Sequence, residues 1–217
     1  MIVRYLFADA KIANRNEIQF KFRNFVLYFY IKRFLTMFKF LKYLLQLALS
    51  PAQGWADISK DEPDASTLAG KGLYPLLALT AVTEFLDFVY HNDAKLSTVL
   101  VHVLADFGAY FISIFIAKLL FEMYLGRLTA SKPDANRVAV CTVAGIGLLV
   151  VVQIIENCLP YSFIVLKFLP VYVILVLYKA TSYLGVAEGN ELRFLGLSAM
   201  AVVIVPLLIY NLFLLIV

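Results

Sequence analysis

The sequence predicts an all-α integral membrane protein of five transmembrane helices preceded by an interfacial amphipathic helix, and three observations predict it. The 217 residues are 62% hydrophobic and only 16% charged, with a mean hydropathy of +0.84, whereas an average soluble chain is about half apolar and about a quarter charged. The apolar residues come in runs of about twenty between short polar breaks, the length that crosses a hydrocarbon core of about 30 Å at about 1.5 Å per residue. Runs such as VAVCTVAGIGLLVVVQII (138–155) do not alternate, which argues against the short alternating strands of a β-barrel. Backbone groups in lipid must pair within their own segment, so the spans are helices.

The formal charge of +4 and pI near 9.0 matter less than where the charge lies. Up to residue 44 there are nine basic residues (Arg4, Lys11, Arg15, Lys21, Arg23, Lys32, Arg33, Lys39 and Lys42) against Asp9 and Glu17. Such a cluster suits a cytoplasmic flank facing anionic lipid rather than nucleic acid. Cys141 and Cys158 fall near opposite ends of one expected helix, roughly 25 Å apart at helical rise, too far to bridge. They offer no zinc-ligand spacing either, and read as small packing residues.

Residues 1–36 form a basic, aromatic N-terminal extension whose longest apolar run, FVLYFYI (25–31), is too short to span. No cleavable signal peptide is evident, and Met37 reads as a natural start. Residues 37–72 are expected to hold the interfacial helix, MFKFLKYLLQLALSP, ended by Pro51, with Trp55 in the headgroup layer and a polar linker, SKDEPDASTLAGKG. Residues 73–217 then hold five spans, at about 73–90, 97–124, 137–157, 161–184 and 193–217. The second exceeds what a bilayer needs, which puts Lys118 and Glu122 near an interface as an intrahelical pair. Gly145 and Gly147 allow close helix approach, and Pro170 and Pro206 predict kinks. Counting Lys and Arg orients the chain. With a cytoplasmic N-terminus, the inward segments carry the N-terminal cluster with Lys60, Lys71, Arg127, Lys132, Arg137, Lys179 and Arg193, and the outward loops carry only Lys95. The C-terminus is then outside.

Four short segments carry a resemblance over about residues 38 to 217: LSPAQGWADI (49–58), KGLYPLL (71–77), NRVAVCTVAG (136–145) and LVLYKATSYLGV (175–186). In this order they resemble the Yip family, the Ypt/Rab-interacting membrane proteins, and in particular its bacterial-type branch. The resemblance implies five spans, a cytoplasmic N-terminus and, for eukaryotic members, partnership with small GTPases in vesicle traffic. Here Gly72, Leu73, Tyr74 and Pro75 stand where the eukaryotic pattern has Asp-Leu-Tyr-Gly-Pro. The small-GTPase role is therefore not carried over, and a bacterial inner membrane is the expected location.

No nucleophile elbow, phosphate loop, HExxH or dinucleotide fingerprint occurs, so the expectation is a non-enzymatic protein with no catalytic residues, cofactor or metal. What remains is a polar set inside the spans: Glu84, Asp87, His102, Asp106, Glu156 and Lys167, with Asn211 in the same outer half. Glu84 and Asp87 are i,i+3, and His102 and Asp106 are i,i+4, so each pair shares a helix face. Ionisable groups in lipid should face one another, the bundle interior or water. The expected role is helix association, with Asp106 paired to Lys167. The expected function is a membrane-organising or interaction component whose partners are the bilayer and other membrane proteins or further copies of itself. The alternative is a small transporter or channel using the acidic and histidine cluster for protons or cations.

Overall fold

The computed structural model describes residues 15–161 and 163–216; residues 1–14 of the N-terminal extension lie outside the described residues. The first helix, α1 (Arg15–Leu49), has 35 residues and runs unbroken past Met37. No Gly or Pro interrupts residues 15–50, so nothing stops it before Pro51, whose ring disfavours helix at the residue ahead. Pro51 then opens α2 (Pro51–Asp61), where its missing N–H is no loss. Glu62 closes α2 in a left-handed conformation, donating its N–H to the Ile58 carbonyl.

Among the described residues four helices are long and apolar enough to cross a membrane: α3 (Ala65–Tyr90), α4 (Leu96–Arg127), α5 (Ala135–Asn157) and a last helix, Glu191–Ile216. Between α5 and that last helix lie α6 (Leu166–Tyr178) and α7 (Thr181–Leu184), so Glu191–Ile216 is α8. The stretch expected as one span over 161–184 is thus divided. Pro170 sits in the first turn of its helical segment and opens it rather than kinking it, and Ala180 N–H turns back to the Leu177 carbonyl at the α6–α7 junction. Pro75 and Pro206 are both reached through π-helical turns, Ala69–Leu73 and Ala199–Ile204. Tyr74 and Val205 donate five residues back, to Ala69 and Met200, the widening that accommodates a proline inside a helix. Among the described residues no strand forms, though an isolated bridge, Thr129 to Val186, ties the α4–α5 loop to the α7–α8 loop.

The core centres on α5, every residue of which from Val140 to Val150 is buried. Its two glycines are points of close approach: a Cβ on Gly145 would meet Val202 and Leu177, and one on Gly147 would lie 2.8 Å from the tip of the Phe40 ring. On α1, Phe40, Tyr43, Leu44 and Leu47 are buried, the i, i+3, i+4, i+7 stripe of one helix face. Phe40 is held from both sides, because a Cβ on Gly72 would fall 2.6 Å from its Cγ and Cδ1.

Trp55 departs from expectation. It is 2% exposed, its ring stacks on Tyr183 at 5.3 Å, and its Nε1–H donates to the Val176 carbonyl at 2.8 Å. A tryptophan can leave the headgroup layer for a core only where its N–H finds a partner. The break after α6 supplies one, since the Ala180 N–H that would bond Val176 in a continuing helix bonds Leu177 instead. Polar contacts fix α1 to α2 nearby. Tyr43 donates to the Asp61 carboxylate, Lys39 pairs with Asp61 at 3.0 Å, and Gln46 donates to Asp57 at 2.8 Å. The Tyr43 hydrogen bond, with that of Lys39, holds the Asp61 pKa below its ordinary value.

Two outcomes are expected. Gly72→Ala should cost about 1–3 kcal/mol by overpacking, and much less in a Phe40→Ala background because both changes act on one contact; unfolding of the four variants in detergent checks this. At the start of α3, Asp64 accepts from Ser66 Oγ at 2.6 Å and from Thr67 N–H at 2.7 Å, contacts that lower its pKa to about 2. A depressed carboxylate stabilises the fold above its ordinary value of 3.8 and loses that contribution as pH falls through about 2. Protection of the Thr67 amide from hydrogen exchange should follow that window.

Candidate functional site

The α3–α4 turn marks one end of the bundle, here the turn end; α1 and α2 pack at the other, the cap end. At the turn end a cavity of about 460 Å³ opens between α3, α4, α5 and the start of α6. Five of the six residues singled out in the sequence line it: Glu84, Asp87, His102, Glu156 and Lys167. The sixth, Asp106, lies beneath it, 4% exposed, with the acids Glu84 and Glu156 close by.

Each side chain is placed by its helix. The last turns of α3 carry Thr83, Glu84 and Asp87 to the rim. The last turns of α5 bring Gln153, Glu156 and Asn157 to the same level. Gln153 Nε2 donates to Asn157 Oδ1 at 3.0 Å, and Asn157 Nδ2 donates to Glu84 Oε1 at 2.6 Å and to Thr83 Oγ1 at 3.2 Å. This relay crosslinks α5 to α3 and fixes the Glu84 carboxyl over Asp106. Tyr110 and Tyr210 stand near Asp106 and Glu84, so the pair sits in a polar niche within the spans. Asp87 takes a different partner, His91 Nδ1 at 2.7 Å, one turn along its own helix. Tyr90 OH donates to the Cys158 carbonyl at 2.9 Å, tying the α3 end to the α5 end.

The expected Asp106–Lys167 pair does not form. Asp106 faces Glu84, whereas Lys167 stands on the exposed rim with Glu156 as the acid it influences. The reason is the turn after α5: α6 starts only at Leu166, which leaves Lys167 at the mouth while Asp106 lies deeper along α4. Asn211 is also outside the cluster, exposed and donating to the Leu207 carbonyl of its own helix at 2.7 Å. Residues the sequence reading passed over include Gln153, Asn157, Tyr90 and His91. Gln153 and Asn157 could have been found from their i,i+4 spacing beside Glu156.

The set of side chains is mixed in charge. Among the described residues no three His, Cys, Asp or Glu groups come together in a way that could hold a metal ion. At the cap end, Arg137 on the first turn of α5 lies over the Tyr183 ring at 5.5 Å and pairs with Glu62 at 3.3 Å, while Asn136 bonds Ala65 N–H and the Pro63 carbonyl. Comparison of the chain with family models, with curated proteins and with solved structures finds no match.

Double-mutant cycles separate the two pairings of Asp106. Asp106→Asn and Lys167→Met should add to within about 0.5 kcal/mol, whereas Asp106→Asn and Glu84→Gln should couple by about 0.5–3 kcal/mol. Asn157→Leu, which strands the Glu84 carboxyl, should cost about 1–3 kcal/mol. Unfolding in detergent reads all three.

Proposed function

We propose that this chain is a Yip-like polytopic membrane protein of the bacterial type, without catalysis, that serves as a membrane-organising or interaction component. One observation carries the reading. The four segments behind the resemblance, far apart in sequence, meet at the cap end. Trp55 of the first bonds Val176 and stacks on Tyr183 of the fourth, Gly72 of the second seats Phe40 of the helix that leads into the first, and Arg137 of the third lies over Tyr183. Residues that jointly build one assembly give a sequence pattern a physical reason to persist across a family.

Five crossings accompany this reading. Lys167 lines the turn-end cavity and Tyr183 touches Arg137 at the cap end, so α6 and α7 together run the length of α5. From Leu166 to Leu184 they cover about 28 Å at helical rise. With the N-terminus cytoplasmic the cap end faces the cytoplasm, the turn end faces outward and the C-terminus is outside. Lys39, Lys42, Lys60 and Lys71 then lie on the anionic side of a bacterial inner membrane. The part of α1 that packs its Phe40–Leu47 face on the bundle leaves Phe38 and Leu45 exposed to meet lipid at the interface.

The transport reading draws on the turn-end cavity and its acids. Toward the cap end from that cavity, Ala109, Ser113, Ala117, Ala144 and Ile146 are buried and pack the bundle, which favours the non-transporting role. In vesicles under a proton or cation gradient the purified protein should carry no current; a current abolished by Glu84→Gln would favour the transporter. Single cysteines near Lys132 should be protected from an impermeant thiol reagent in intact cells and those near Asn92 labelled, and the reverse pattern would sink the orientation.

A further inference from the structure

The turn-end cavity holds polar groups that the chain itself does not satisfy. Glu84 is engaged by Asn157, and Asp87 by His91. Glu156, His102 and Lys167 line the same space, and among the described residues none of their side chains has a hydrogen bond; His102 makes only an edge contact with the Tyr210 ring. Glu156 and Lys167 interact electrostatically yet form no ion pair within 4.0 Å. An acid and a base thus face one cavity without closing on each other. Polar groups among membrane spans are costly unless they meet a partner, so the arrangement calls for one from outside the chain.

The charges select its chemistry. A simple anion would meet Glu84, Glu156 and Asp87, and a simple cation would meet Lys167. A zwitterion answers both. Its ammonium can donate to Glu156 and to Glu84, both of which line the cavity, and its phosphate can accept from Lys167, the charge-assisted contacts that are the strong ones. A volume of about 460 Å³ lies within the range of small-molecule sites, and Val99, Phe163 and Leu166 add apolar wall for the carbon skeleton beyond the phosphate. We propose that this cavity binds an ammonium-bearing phosphate zwitterion of the ethanolamine phosphate type, with its ammonium at Glu156 and Glu84 and its phosphate at Lys167. Such a group comes from a lipid headgroup or from a free solute. The proposal rests on the cavity and on the membrane character of the fold, and stands whether or not the family reading does.

The test uses the full chain purified in detergent, with lipid retention read by native mass spectrometry and solute binding by calorimetry. Against phosphatidylethanolamine are set phosphatidylcholine, whose methylated ammonium cannot donate, and phosphatidylglycerol, which has no ammonium, all with the same acyl chains. Phosphatidylethanolamine should be retained at least about tenfold over both, as the loss of a charged hydrogen bond implies. Glu156→Gln should reduce that preference by about tenfold, whereas Lys167→Gln should reduce retention of all three lipids by about tenfold, because each carries the phosphate. Because a variant can fail to fold, the headgroup series on the unaltered protein stands as the primary reading. Free phosphoethanolamine that binds alone and displaces the lipid identifies a solute source, and binding of the lipid only identifies the bilayer. Equal retention of the three headgroups with no binding of phosphoethanolamine, or an unchanged preference in folded Glu156→Gln, or unchanged retention in folded Lys167→Gln, overturns the proposal.

Discussion

The ring of Phe40 lies between two glycines that are distant in sequence, Gly72 on the π-helical turn of α3 and Gly147 at the middle of α5, and the cap end of the bundle is organised around that contact. Without side chains at 72 and 147, α1 comes close enough to bury Tyr43, Leu44 and Leu47 on the same face. Buried there, α1 carries α2 with it through Tyr43, Asp61 and Lys39. With α2 comes Trp55, whose indole reaches the Val176 carbonyl near the end of α6. Each step removes apolar surface from solvent or lipid, and the Tyr43 hydroxyl and the Trp55 indole N–H that it buries both find acceptors, the two conditions that stable burial needs.

The two ends of the bundle solve the same electrostatic problem differently. At the cap end the polar groups are matched within the chain: Arg137 to Glu62, Asn136 to the backbone ahead of α3, Asp64 to the first turn of α3. At the turn end one relay, from Gln153 through Asn157 to Glu84, is closed, and beside it Glu156 and Lys167 line a cavity without pairing. The first arrangement supplies rigidity. The second leaves chemistry facing outward, and is where recognition of a small polar group belongs in a bundle of this kind.

Much of this was legible in the sequence, for definite reasons. Spans are set by the length of apolar runs, and α3, α4, α5 and α8 fall where those runs fall. The polar cluster was legible because helical spacing and depth place Glu84, Asp87, His102 and Glu156 at one level. Lys118 and Glu122 pair at 3.7 Å along one helix, as their spacing implies. The division of 161–184 was not legible, because its apolar composition continues across a break that backbone hydrogen bonding makes. Nor was the neighbour of Asp106, since the approach of one acid to another depends on Asn157 holding Glu84 in place. The position of Trp55 was misread because a tryptophan beside a membrane helix serves equally at an interface or in a core, and only the Val176 carbonyl decides between them.

The central claim is that the leading segment is part of the folded bundle rather than a helix resting in the headgroups. The chain has one tryptophan, so its fluorescence in vesicles reports on this segment alone. A buried, stacked Trp55 predicts a blue-shifted emission that acrylamide and lipids brominated near the headgroup quench weakly, and a red shift on Gly72→Leu as Phe40 is expelled. Strong quenching by both agents in the unaltered protein, with no response to Gly72→Leu, would place the tryptophan in the interface and contradict the account.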